Sequence, residues 1–120
     1  MLKKTITYVD FDDEERTETF YFNLTKAELA EMELSLDGGF KKWVEQIVET
    51  KDNKQLIAIF KDVILKSYGE KSLDGKHFTK NDQIREAFTC TQAYSELFME
   101  LSSNTEAATI FMNGILPKMN

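Results

Sequence analysis

The sequence predicts an α+β fold: an N-terminal β-hairpin followed by a compact bundle of five to six short helices. Three observations carry this. Residues 2–24 alternate apolar and polar side chains with a period of two, interrupted once by a run of acids. From Thr25 onward, capping residues recur ahead of apolar stripes of helical period. Tyr94, Leu97, Phe98 and Leu101 stand at i, i+3, i+4 and i+7, a helix face that must be buried. We expect one domain over residues 1–120, with the hairpin in 1–24 and the helical part in 25–116.

The first strand is Leu2–Val9, rich in β-branched and aromatic residues at Thr5-Ile6-Thr7-Tyr8-Val9. The second is Arg16–Leu24, where Phe20, Phe22 and Leu24 alternate with Thr19, Tyr21 and Asn23. Asp10-Phe11-Asp12-Asp13-Glu14-Glu15 is the turn between them. An isolated hairpin is marginal in water, so its Phe20/Phe22 face is expected to pack on helices.

Thr25-Lys26-Ala27-Glu28 is a capping box, and Leu24 and Leu29 hold the hydrophobic-staple positions around it. That helix runs through Leu29 and Met32 toward Leu36, and Gly38-Gly39 stops it. A second helix is predicted over Phe40–Thr50, with Phe40, Trp43, Val44, Ile47 and Val48 on one side. Asp52-Asn53-Lys54-Gln55 opens the most apolar helix, Leu56 to Leu65, predicted to be central and to end at Tyr68-Gly69. Glu70–Phe78 reads as a loop around Asp74-Gly75. Thr79-Lys80-Asn81-Asp82 offers a cap for a short helix through Phe88, and Thr89-Cys90-Thr91 interrupts helicity before the Tyr94 helix. Ser103-Asn104-Thr105-Glu106 reads as a further capping box, starting a helix Ala107–Met112 that Asn113-Gly114 and Pro117 close.

The composition excludes several function classes. Fifteen basic residues against twenty-one acidic ones give a net charge of −6. Nucleic-acid binders need a basic footprint to displace counterions, so no nucleic-acid or anionic-membrane partner is expected. Nothing approaches the roughly twenty apolar residues of a membrane span, and the N-terminus lacks the apolar run of a signal peptide. A single cysteine fits a reducing compartment, so a cytosolic protein is expected.

The search for chemistry yields no catalytic, cofactor or metal residues. Asp10, Asp12 and Glu14 mimic the start of a calcium loop, but Glu15 and Tyr21 stand where Gly and Glu are required. His77, the only histidine, has no partner ligands and reads as a loop residue. Cys90 has no CxxC partner and reads as a small core hydrophobe. No Gly-rich phosphate loop occurs, and carboxylate pairs such as Glu14/Glu15 and Glu31/Glu33 read as solvated faces. Met99 lies off the Tyr94–Leu101 stripe at about 100° per residue, so it faces either another helix of the same chain or a partner. Met112 leans toward an interface in the same way, whereas Met32 fits a gap in the core equally well.

The chain resembles the tail assembly chaperones of long-tailed phages and prophages of Gram-positive bacteria. The resemblance is carried by the run Phe20 to Ser35, by Ser67-Tyr68-Gly69-Glu70-Lys71-Ser72 with Asp74-Gly75-Lys76, and by Ala93 to Leu101 with Asn113-Gly114-Ile115-Leu116-Pro117. It implies a non-enzymatic protein that binds the tape measure protein, the long helical polypeptide that sets tail length. The chaperone keeps it soluble until tail tube subunits polymerise around it, and is absent from the finished virion. In related phages a ribosomal frameshift makes a longer product that recruits tail tube protein. This chain, ending just past Pro117-Lys118, matches the short, unshifted form. A homo-oligomer without cofactors is implied. Met99, Met112, Ile115 and Leu116 are the expected contacts to partner or neighbouring subunit. The competing readings are a structural virion protein, such as a head–tail completion or tail tube component, and a small enzyme or host-directed regulator.

Overall fold

The strand pair β1 (Leu2–Val9) and β2 (Glu15–Phe22) runs antiparallel in a continuous register, from Leu2 opposite Phe22 to Val9 opposite Glu15. The computed structural model describes residues 1–35 and 53–117 together with Lys42 and Glu45; of residues 35, 53–57 and 59 it describes the backbone only. The predicted helix over Phe40–Thr50, the Gly38-Gly39 stop, Leu36 and Asp52 lie outside the described residues.

Period-two alternation gives the hairpin two unlike faces. Ile6, Tyr8 and Phe22 point into the core, with Leu2 and Phe20 packed against it. On the other face Thr5 and Thr19, and Thr7 and Thr17, pair hydroxyl to hydroxyl at 3.0 Å. The acidic turn closes on itself. The Asp13 amide donates to the Asp10 carbonyl, and Asp13 takes the left-handed conformation at φ 60°. The Asp10 carboxylate accepts from the amides of Asp12 and Glu14 and from the Arg16 guanidinium. The calcium-loop mimicry is therefore a self-satisfied polar turn.

Helix α1 (Lys26–Ser35) begins on the predicted capping box. The Glu28 amide donates to Thr25 Oγ1 at 3.1 Å, and the Thr25 amide to Glu28 Oε1 at 2.9 Å. Helix α2 (Asn53–Ser67) buries Phe60, Val63 and Ile64 and passes without a loop into β3 (Tyr68–Lys71). Ser67, fully buried, satisfies its hydroxyl on the Val63 and Ile64 carbonyls. Strand β3 pairs with β2, and β4 (Phe78–Thr79) pairs with β3. The expected Glu70–Phe78 loop is thus a second, smaller hairpin, and the sheet has four strands in the order β1-β2-β3-β4. Gly69 permits this, because a Cβ there would sit 2.9 Å from the Phe78 ring and from the Thr79 carbonyl.

Helix α3 (Asp82–Thr89) is capped by Asn81, whose side chain accepts from the Ile84 amide. Helix α4 (Gln92–Ser103) is capped by Thr91, so the break falls at Cys90-Thr91 as expected. Helix α5 (Thr105–Ile115) is capped by Asn104 rather than by Ser103. The Ser103 hydroxyl instead donates back to the Met99 carbonyl at 2.6 Å. The helix also continues through Asn113-Gly114, and a Cβ on Gly114 would sit 2.8 Å from Leu2 of β1.

The core lies between the inner sheet face and the helices. Its centre is aromatic: the Tyr68 and Phe88 rings stack at 4.0 Å, and Phe22 meets Phe111 edge-on at 5.1 Å. Tyr94 reaches Phe88 at 5.7 Å and Phe98 at 6.0 Å, so the stripe of α4 is a core wall as predicted. Two backbone bonds tie distant parts of the chain to the strand β2 exit: the Asn23 amide donates to the Ser67 carbonyl, and the Leu24 amide to the Ile115 carbonyl.

Candidate functional site

Helix α4 has its rotation set from its first turn, where the Tyr94 amide donates to Thr91 Oγ1 at 3.2 Å. Ala93, Leu97 and Leu101 then point inward. A residue off that stripe must point out, and Met99 is 59% exposed. Glu100, beside it, reaches Lys4 of β1 at 2.8 Å. That ion pair rims a shallow groove of about 110 Å³ lined by Leu2, Lys4, Glu100, Ala107, Ile110 and Phe111. Metabolite pockets run to about 300–1,000 Å³, so this groove suits a single side chain of a macromolecular partner better than a small substrate.

The four residues expected to meet a partner are divided by the structure. Met99 is on the surface. Met112 and Ile115 are not: both are core residues, at 7% and 0% exposure. Their helix is longer than expected, and Ala108, Phe111, Met112 and Ile115 form its buried stripe. Neither side chain meets a partner without opening the core, which corrects the expectation for both. Leu116 is half-buried against that core. Ile110, off the α5 stripe and 61% exposed beside the groove, is the surface residue the sequence reading missed. The logic that singled out Met99 on α4 applies to it once the phase of α5 is right.

The polar candidates resolve simply. His77 is exposed in the β3–β4 connection, where its backbone bonds to Ser72. Cys90 is exposed at the C-cap of α3, not a core hydrophobe, because the helix break turns it outward. Among the described residues, no group of three His, Cys, Asp or Glu side chains stands together as a metal site. Among them too, no helix is long and apolar enough to cross a membrane.

The most constrained charge is structural. Lys80, its side chain 9% exposed, donates to the Asn23 carbonyl (2.6 Å), the Lys66 carbonyl (2.8 Å) and Glu28 Oε2 (2.6 Å). Burial pushes its pKa below the usual lysine value, and the Glu28 carboxylate opposes the shift. All three ammonium hydrogens are used, so Lys80 has none left for a ligand. It locks the β2 exit, the start of α1 and the end of α2 together. Asp10 is held below the usual carboxylate range by its bond from Arg16 and by backbone amides, as a turn residue should be.

The described residues form a small α+β module that exposes Met99 and Ile110 on its helices beside a shallow groove. The chain belongs to the phage tail assembly chaperone family, whose model matches residues 1–119. That is a family of chaperones, not of enzymes. No curated protein and no solved structure matches the chain.

Proposed function

We propose that this protein binds the tape measure protein of its phage and keeps it soluble in the host cytoplasm until tail tube subunits polymerise and displace it. The observation that carries this reading is membership of the tail assembly chaperone family over residues 1–119. On this reading residues 1–120 act as one chaperone domain and self-associate along the tape measure. The chain is the short product of a frameshifted gene, and the longer product recruits tail tube protein. The protein leaves the tail before the virion is complete. Contact with the tape measure runs through Met99, with the accessible part of Leu116 and the Ile110 groove beside β1 contributing. Exposed methionine suits such a task, because its flexible thioether adapts to successive segments of a long helical partner.

The experiment is co-purification of a tagged tape measure fragment with the wild-type chain and with Met99→Asp. Wild-type capture with loss of at least tenfold in the variant, at unchanged circular dichroism, is the expected result. Failure of the wild type to bind any tape measure fragment overturns the reading. Mass spectrometry of purified virions separates it from the structural-component reading, since a chaperone is missing from the particle.

A further inference from the structure

We propose that β1 is a self-association edge, through which two copies of this chain pair antiparallel about a two-fold axis at Ile6. The inference deepens the self-association proposed above, but it stands on the sheet and needs no tape measure.

Among the described residues, strand β1 is the end strand of the sheet and pairs only with β2. The Asp10 amide donates to the Glu14 carbonyl, so the even-numbered residues of this strand direct their backbone toward β2. The odd-numbered residues, Lys3, Thr5, Thr7 and Val9, therefore direct theirs toward the open edge. Among the described residues no backbone hydrogen bond reaches those groups. Natural edges are blunted by proline, bulges or charge. From Thr5 to Val9 this one has none: the run is Thr-Ile-Thr-Tyr-Val, with every residue in regular register. Lys4 points inward and is already paired with Glu100.

The occupant is argued from where the exposed apolar residues fall. Met1 (53%), Val9 (51%) and Phe11 (74%) are large, exposed and placed at the two ends of this one strand. An antiparallel pairing of β1 with itself brings opposite ends together. In the Ile6-centred register Thr5 faces Thr7, Lys3 faces Val9, Lys4 faces Tyr8, and the Met1 end of each copy meets the Phe11 end of the other. No like charges oppose. A register centred on Lys4 sets lysine against lysine. Odd faces odd, so the outward backbone groups of both copies meet in the hydrogen-bonded positions. A helical partner offers no free backbone to such an edge; a second copy does.

One strand pair is small beside a standard interface of about 800 Å² per partner, so a weak, concentration-dependent dimer is expected. The test is sedimentation equilibrium of the full chain, from low to high micromolar. Wild type is expected to dimerise with rising concentration. Thr7→Pro removes an outward donor without touching the β1–β2 ladder, so it should weaken the dimer by about tenfold or more at unchanged circular dichroism. Should that variant misfold, the charge pair decides: Val9→Lys, opposite Lys3, should weaken the dimer by about fivefold or more relative to Val9→Glu, counted twice by symmetry. A wild-type monomer at every concentration overturns the proposal. So does a full-strength dimer of folded Thr7→Pro, or equal effects of Val9→Lys and Val9→Glu. A dimer that captures no tape measure fragment refutes the proposed function and leaves this edge standing.

Discussion

Two methionines of similar appearance in the sequence have opposite physical roles. Met99 ends in solvent, so Met99→Asp should change stability by less than about 0.5 kcal/mol. Met112 lies between α5 and the core, where an aspartate would be buried without a partner, and Met112→Asp should cost about 3 kcal/mol or more. Urea denaturation of the two variants checks this, and similar midpoints would contradict it. The glycines make a second contrast. Gly69→Ala forces a methyl against a backbone carbonyl and a packed ring, whereas Gly114→Ala meets only the Leu2 side chain, which can swing aside. We expect a loss of about 1–3 kcal/mol at Gly69 and a smaller one at Gly114, read by thermal melts. Lys80→Met removes the ammonium from the Asn23 and Lys66 carbonyls and from Glu28 Oε2, at a cost of about 2–4 kcal/mol. Adding Glu28→Gln should recover part of that loss in a double-mutant cycle.

At the scale of elements, the turns carry the pH response. The bond from Arg16 lowers Asp10, and the bond from the Ser72 hydroxyl lowers Asp74. A carboxylate depressed in the folded state stabilises above its unfolded value of 3.8 and loses that contribution as pH falls through its folded pKa. Stability should therefore fall below about pH 4. Asp10→Asn should flatten the acid limb in melts taken from pH 5 to 2, and an unchanged limb would assign the response elsewhere. Which elements were legible follows from how local their signals are. The Thr25–Glu28 box and the alternation of β1 and β2 are complete within a few residues, so sequence alone located them. Strand β3 is Tyr-Gly-Glu-Lys, a sequence without strand character; β2 confers it by pairing, a partner more than forty residues away in the chain. Helix α5 failed for another reason. Its stripe Ala108, Phe111, Met112, Ile115 has regular helical spacing, but Gly114 was read as a stop when its role is close approach to Leu2. Ending the helix there leaves Ile115 in a tail, and the shortened helix does not show the stripe that turns Met112 inward and Ile110 outward.

For the whole molecule, the same architecture separates two kinds of surface. The helix side offers Met99 and the groove beside Ile110, whereas among the described residues the sheet ends in a strand, β1, whose outer edge presents backbone rather than side chain. The function proposed above calls for one surface toward the tape measure and another toward a neighbouring copy. A variant monomeric through Thr7→Pro should still bind a short tape measure fragment, but with the shallower, non-cooperative isotherm of independent sites in calorimetry. A steep isotherm from that monomer would show that neighbours touch elsewhere.

The bond from the Leu24 amide to the Ile115 carbonyl sets a clock on all of this. Phe22 and Leu24 leave the ribosome about 90 residues before Phe111 and Ile115, which pack over them. At about 5–20 residues per second the interval is roughly 5–18 s. During it the hairpin's apolar face lacks the part of its cover that α5 supplies, and closure over such a sequence separation is slow in its own right. The last cover of the hairpin therefore arrives only when α5 has been translated.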